Sequence, residues 1–200
     1  MFSVQRVMKR IFDILASLGA CILLFPLFAA IALAIKATSA GPILYRWPVV
    51  GKDGRRIHAY KFRSMVIGAD SMKDRLAPLN EATWPMFKLA SDPRVTPLGR
   101  ILRKFSLDEL PQMWSVLKGD ISLVGPRPVL ITEWDHFTES QRRKLSVKPG
   151  AVSLWHVSGQ PRDLDTWLKM DFEYIDRWSL GLDFRILARA VGYLLLGKNC

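Results

Sequence analysis

Between Ile14 and Ile35 lie 22 consecutive residues without a charge, and no other feature of this 200-residue chain restricts its fold so tightly. At about 1.5 Å per residue, an unbroken helix of that length reaches roughly 33 Å, enough to cross a hydrocarbon core. The flanks argue against a crossing. Arg6, Lys9 and Arg10 precede the run, and Lys36, Arg46, Lys52, Arg55 and Arg56 follow it. A span would leave one basic cluster on the unfavoured side of the membrane. Pro26, near the middle, lacks an N–H and clashes with the carbonyl of Ile22, which bends a helix. A bend there lets the segment dip in and return, each arm reaching roughly the bilayer midplane. The freed carbonyl must then find a partner at that depth. A secretory signal is the rival reading, with Thr38-Ser39-Ala40 as a cleavage site. The apolar run exceeds the usual ~7–15 residues, however, and Lys36 intervenes.

The formal charge of +11 on a chain that is 50% hydrophobic excludes a disordered tail and calls for an anionic partner: nucleic acid, anionic lipid or a phosphorylated substrate. Cys21 and Cys200 form neither a disulfide framework nor a metal-ligand pair, which suits a reducing compartment. No repeat interrupts residues 37–200, which read as one cytosolic domain after a membrane segment at 1–36. Ile43–Trp47 and Arg56–Phe62 flank Gly51-Lys52-Asp53-Gly54, whose Asp-Gly signals a hairpin turn. Pro78 and Pro85 within 68–92 suggest short helices along a membrane surface. Leu110, Met113, Trp114 and Leu117 recur at helical spacing before Gly119. Near the C-terminus, Leu182, Ile186, Leu187, Ala190, Val191 and Leu194 form one apolar stripe, equally suited to a core or to an interface.

Most familiar chemical constellations fail on spacing. His58, His136 and His156 make no ligand pattern and read as surface or core histidines. Asp163-Leu164-Asp165 is similar to the acidic metal motif of nucleotide-sugar glycosyltransferases, with no doubly wound scaffold before it. The segment Ser106–Gln112, SLDELPQ, is more informative. Ser106 and Glu109 match a capping box, with Asp108 placed near the helix dipole, and that reading needs no catalysis. Yet Arg100, Arg103 and Lys104 precede the acids, and Arg127 follows in Pro126-Arg127-Pro128. Cations around paired carboxylates, with a divalent ion joining acid to phosphate, define a site for phosphoryl groups.

The same residues carry a resemblance. KFRSM from Lys61, DPRVTPLGRILRK from Asp92, SLDELPQ from Ser106, LKGDISLVGPRP from Leu117 and KPG at Lys148 resemble, in order and spacing, the bacterial sugar transferase family of small monotopic phosphoglycosyl transferases. The resemblance runs from about Lys9 to Val191. It implies an α+β, mostly helical monotopic membrane protein on the cytoplasmic face of the bacterial inner membrane, a Pro26-bent re-entrant helix (1–36) anchoring a catalytic domain (37–200) with interfacial helices. The implied reaction moves a sugar 1-phosphate from a nucleotide diphosphate sugar, a UDP-sugar, to polyprenol phosphate, with release of UMP. By resemblance, Asp108 is the nucleophile and Glu109 holds Mg2+. Lys61, Arg63, Arg103 and Arg127 contact phosphate, and Gln112 and Asp120 support them. Membrane lipids join the partners, nucleic acid does not, and a homodimer stays open. Phe25, Val49, Ser115, His156 and Gln160 depart from the common pattern, which leaves the sugar and the glycan pathway undefined. Two other classes stay open: a metal-dependent glycosyltransferase using Asp163 and Asp165, and a basic membrane-bound protein that binds anions without chemistry.

Overall fold

The computed structural model describes residues 2–195. The uncharged run is not one straight helix. Helix α1 (Phe2–Leu23) and helix α2 (Phe25–Thr38) meet at Leu24 with a bend of 61°. Pro26 lies in the first turn of α2, where a missing N–H is tolerated. The break therefore falls just before the proline rather than at it. No single helix among the described residues is long and apolar enough to cross a membrane, although this bent pair passes that test together by length and composition.

A hairpin follows, β1 (Leu44–Val50) and β2 (Arg56–Phe62), antiparallel from Leu44↔Phe62 to Val50↔Arg56. Its turn places Asp53 at φ 57° and Gly54 at φ 82°, the left-handed conformations that an Asp-Gly pair accommodates. After a short helix α3 (Lys73–Leu76), the rest of 68–92 is 3-10 turns and loop. Helix α4 (Pro97–Lys104) starts at Thr96, whose Oγ1 accepts the Gly99 N–H at 2.9 Å. Helix α5 (Gln112–Lys118) ends at Gly119 with φ 84°. Then come β3 (Ser122–Val124), β4 (Val129–Leu130), α6 (Ile131–Trp134), α7 (Glu139–Arg142), β5 (Gly150–Val152), α8 (Leu164–Asp176) and α9 (Leu180–Leu195). Strand β4 pairs with β1 to complete a three-stranded sheet, order β2-β1-β4, and β3 pairs in parallel with β5. This is a mixed helix and sheet fold. On α9, Ile186 is buried and Leu182, Leu187 and Ala190 pack on the same core, whereas Val191 is exposed. The stripe thus faces the core; the side chain of Leu194 lies outside the described residues.

Helix α1 sends polar side chains inward beside Phe12 and Ala16, which pack on the core: Asp13 accepts from Ser122 Oγ at 2.6 Å and the Leu123 N–H at 3.2 Å, and Lys9 meets Asp183 at 2.6 Å and the Val124 carbonyl at 3.0 Å. Arg10 donates to the carbonyls of Val116 and Leu117 at 2.6 and 2.7 Å, closing the end of α5. Its outward face exposes Val4, Val7, Met8, Ile11, Leu15, Leu18 and Ile22. Helix α2 packs differently, through Ile31 and Ile35 against Phe62 and Leu102. Packing is therefore continuous from the N-terminal helices into α4, α5 and α9.

Candidate active site

Lys61 is the penultimate residue of β2, opposite Tyr45 in the hairpin register. Its ammonium stands 3.6 Å over the Trp47 ring and 2.6 Å from Glu109 Oε1. Glu109 belongs to a single 3-10 turn, Leu107–Glu109, wedged between α4 and α5. The turn is entered through Ser106 at φ 50°, with no side-chain cap bond. The capping-box expectation fails here: Glu109 reaches across to β2 instead of back to Ser106. Nor do the acids open a helix, since Pro111 separates them from α5 at Gln112.

The two carboxyls sit in different fields. Asp108 is 7% exposed. Burial, and then the neighbouring Glu109 charge, push it up to about 6 against the pull of Lys61 and Arg103. Burial would raise Glu109 too, but the Lys61 ammonium outweighs it, with His156 and Arg127 adding to it, and Glu109 falls to about 2. Arg103 is oriented by its Nε bond to Ser64 Oγ at 2.9 Å. Arg127 lies with its guanidinium 3.6 Å from the Trp155 ring centre. The backbone N–H of Arg127 donates to Asp171 Oδ1 at 3.0 Å, and the other oxygen of Asp171 lies 2.8 Å from Lys144 Nζ in a fully buried ion pair.

Lys61, Arg103, Arg127, Asp108 and Glu109 thus converge, as their order along the chain could not reveal. Two expected residues, Arg63 and Asp120, bond elsewhere. Arg63 is committed to the end of α2, where it donates to the Ser39 carbonyl at 3.0 Å, to Ser39 Oγ at 2.7 Å and to the Ala40 carbonyl. Asp120 pairs with Lys118 at 2.8 Å. Gln112 is buried, and its Oε1 has no hydrogen-bond partner among the described residues. Conversely, His156 enters the site, its Nε2 3.9 Å from Glu109 Oε2. Burial, and the cations Arg127, Lys61 and Lys88, drive its pKa down to about 3 against the pull of Glu109, so the ring is neutral at pH 7. His58 and His136 are exposed, as surface histidines. Trp155 and the Lys144–Asp171 pair carried no sequence signal, because nothing local marks a residue that supports an arginine far along the chain.

Among the described residues no cluster of three or more His, Cys, Asp or Glu could hold a metal by itself. The acid pair nonetheless suits a hard cation that completes its shell with water and phosphate oxygens. Glu109 Oε2 carries no hydrogen bond among the described residues, its other oxygen being taken by Lys61. Asp163 has a different occupation: it caps α8 by accepting the Thr166 N–H at 2.8 Å, and Asp165 lies on the first turn of that helix.

Two adjacent carboxyls, one buried and one clamped, with Lys61, Arg103 and Arg127 around them, carry a charge arrangement that suits a phosphorylated group. The chain belongs to the bacterial sugar transferase family, which it matches over residues 4–197. It is similar to an undecaprenyl-phosphate galactose phosphotransferase of Salmonella typhimurium, 43% identical over 96% of this chain and 41% of that protein. It is also similar to the exopolysaccharide production protein ExoY of Rhizobium meliloti, 34% identical over 96% of this chain and 87% of that protein. A third relative is the UDP-glucose:undecaprenyl-phosphate glucose-1-phosphate transferase of Escherichia coli, 37% identical over 92% of this chain. The chain spans 36% of the length of a galactosyl transferase of Streptococcus agalactiae and 41% of the Salmonella protein.

Proposed function

We propose that the chain transfers a sugar 1-phosphate from a UDP-sugar to polyprenol phosphate, undecaprenyl phosphate in bacteria, with release of UMP. The observation that carries this reading is the buried Asp108 beside a Glu109 clamped by Lys61, with Arg103 acting on Asp108 and Arg127 on Glu109. The names of the Salmonella and Escherichia coli relatives, which specify undecaprenyl phosphate, galactose and glucose, support the substrate class.

In this reading an oxygen of ionised Asp108 attacks the phosphorus nearest the sugar. An acyl phosphate forms, and the bond from that phosphorus to the bridging oxygen breaks, so that this oxygen leaves with UMP. An oxygen of polyprenol phosphate then attacks the same phosphorus, forming a polyprenyl diphosphate sugar and returning the carboxylate. Splitting one displacement into two suits a positioned carboxylate, and a carboxyl near 6 is largely ionised at neutral pH while remaining more basic than an exposed aspartate. Lys61, Arg103 and Arg127 neutralise phosphate charge without moving. Mg2+, held by Glu109, adds to that neutralisation when bound.

The outward apolar face of α1, with exposed Ile101 on α4, Phe105 just beyond it and Trp114 on α5, supports attachment to the cytoplasmic leaflet by a re-entrant α1–α2 pair. There a lipid phosphate can meet a soluble donor. The test is the nucleotide released by membranes carrying the protein. UMP release that depends on undecaprenyl phosphate, with a tagged sugar trapped on Asp108 when acceptor is withheld, is the expected result. Release of UDP would favour a glycosyltransferase, and no release a binding protein.

A further inference from the structure

We propose that His156 is a fixed hydrogen-bond donor which, together with Arg127, receives one non-bridging phosphate oxygen of the nucleotide substrate; the proposal rests on the phosphate-transfer reading above. The other side of the ring is held by Ser153. The Ser153 N–H donates to His156 Nδ1 at 3.1 Å, and Ser153 Oγ lies 2.8 Å from the same nitrogen. A backbone N–H points in one direction only, and Ser153 is fully buried, so this donor needs the acceptor it has found. A nitrogen that accepts carries no proton, and the single proton of the neutral ring is therefore on Nε2.

That assignment changes the meaning of the contacts at Nε2. Arg127 Nη1 stands 3.4 Å away. Arginine has only donors, so the two nitrogens face each other as donors, and neither satisfies the other. The opposite tautomer would let Arg127 donate to Nε2, but at the longer distance and only by leaving the Ser153 N–H without its acceptor. Glu109 Oε2, at 3.9 Å, is beyond hydrogen-bond reach. Two donors on rigid supports therefore stand together beside Glu109: the ring held by Ser153, the guanidinium laid on Trp155. What such a pair of donors receives is an anionic oxygen, and the phosphate groups of the nucleotide substrate supply one. A ring protonated on Nε2 can be neither a metal ligand through that atom nor a base.

The test uses the whole protein in lipid nanodiscs, with 15N-labelled histidine and uridine diphosphate as the probe, without acceptor. The three histidines are separated by comparison with H156Q. The expected spectrum has an unprotonated Nδ1 and a protonated Nε2 for His156, with the Nε2 signal moving as UDP is added. Binding is then compared among variants. The amide nitrogen of glutamine overlays Nε2, whereas that of asparagine overlays Nδ1. H156Q should hold UDP within about 3-fold of wild type, while H156N and H156A weaken it by about 10-fold or more, as befits a hydrogen bond to a charged group. A ring protonated on Nδ1, an Nε2 signal indifferent to UDP, or H156N and H156A binding as well as H156Q would each overturn the proposal while leaving acceptor-dependent UMP release intact. A wild-type protein that neither binds UDP nor releases UMP would overturn the transfer reading and this proposal together. The spectrum of the wild type decides the tautomer whether or not every variant folds.

Discussion

Asp108 and Glu109 are consecutive in the chain, yet their carboxyls are driven in opposite directions, Asp108 up to about 6 by burial and its neighbour's charge, Glu109 down to about 2 because Lys61 Nζ stands 2.6 Å from its Oε1. One cation thus divides the pair into a basic carboxylate and a permanently ionised one. Such a division of labour is what a nucleophile beside a cation-binding acid requires.

Asp108→Asn should therefore stabilise the protein while abolishing turnover. The folded-state pKa of Asp108 is raised, so its charged form opposes folding at every pH above that value, by up to about 3 kcal/mol at about 1.4 kcal/mol per unit. The neutral amide removes most of this cost, and a gain of about 1–2 kcal/mol is expected at pH 7. Thermal unfolding in detergent reads the stability, and acceptor-dependent UMP release reads the activity. Loss of stability together with retained activity would return Asp108 to a purely structural role.

Glu109→Gln keeps the shape but lifts the charge from both Lys61 and any bound cation. Turnover should fall by at least about 100-fold, and the Mg2+ concentration giving half-maximal rate should rise about 10-fold after chelation and readdition. A variant with the wild-type Mg2+ response would detach the metal from Glu109.

What the sequence made legible is what local chemistry decides. Asp53-Gly54 turns the hairpin, Gly119 ends α5, and the chain bends beside Pro26 because each of these residues sets backbone angles by itself. What it misplaced is what distant partners decide. Ser106 and Glu109 have the spacing of a capping box, but Lys61, 48 residues away, competes for the same carboxylate, and an ammonium in a partly buried site outbids an amide. Arg63 follows Lys61 by two residues and looks like its companion, whereas the open carbonyls at the end of α2 claim it. The inward polar bonds of α1 were invisible for the same reason, since Lys9 finds Asp183 across 174 residues.

Gly99 should tolerate no side chain, although alanine is the better helix former by about 1 kcal/mol. A Cβ there would lie 2.0 Å from the Ser64 carbonyl oxygen, and this backbone atom cannot swing away. Gly99→Ala should cost about 1–3 kcal/mol or more. It should also cut activity, because α4 would be pushed from Ser64, the residue that orients Arg103. Denaturant midpoints and rates on one preparation test both. Unchanged values would mean that α4 can shift freely.

Asp92 braces, in a pH-dependent way, the loop that leads into α4. Its carboxylate holds Arg94 through Nε at 2.9 Å and Nη2 at 2.7 Å, and accepts the Arg94 N–H at 3.0 Å. Burial would raise its pKa, but these bonds outweigh it and hold it below the ordinary 3.8. A depressed carboxyl contributes stability that is fully present above its unfolded value and is lost as pH falls through the folded one. Asp92→Asn should thus destabilise by about 1–3 kcal/mol at pH 7. The gap between the two proteins should close only below about pH 4. A gap that persisted unchanged at pH 2 would assign the effect to shape rather than charge.

The re-entrant arrangement is tested by where its ends lie. In α1 Lys9, Arg10 and Asp13 turn inward while Val7, Ile11, Leu15 and Leu18 look outward, and α2 leaves Leu24 at a bend of 61°. The re-entrant reading puts the start of α1 and the end of α2 on the same side of the membrane, with α2 packed against Phe62 and Leu102. Single cysteines replacing exposed Val4 and Ala37, in a background with Cys21 and Cys200 changed to serine, should both react with an impermeant thiol reagent in inside-out vesicles and neither in intact spheroplasts. Reaction of the two from opposite sides would establish a crossing. Straightening of that kind would have to pull Lys9 from Asp183 or Ile35 from the Phe62 and Leu102 contacts, so the same cysteine pair in Asp183→Asn should label more heterogeneously than in the parent.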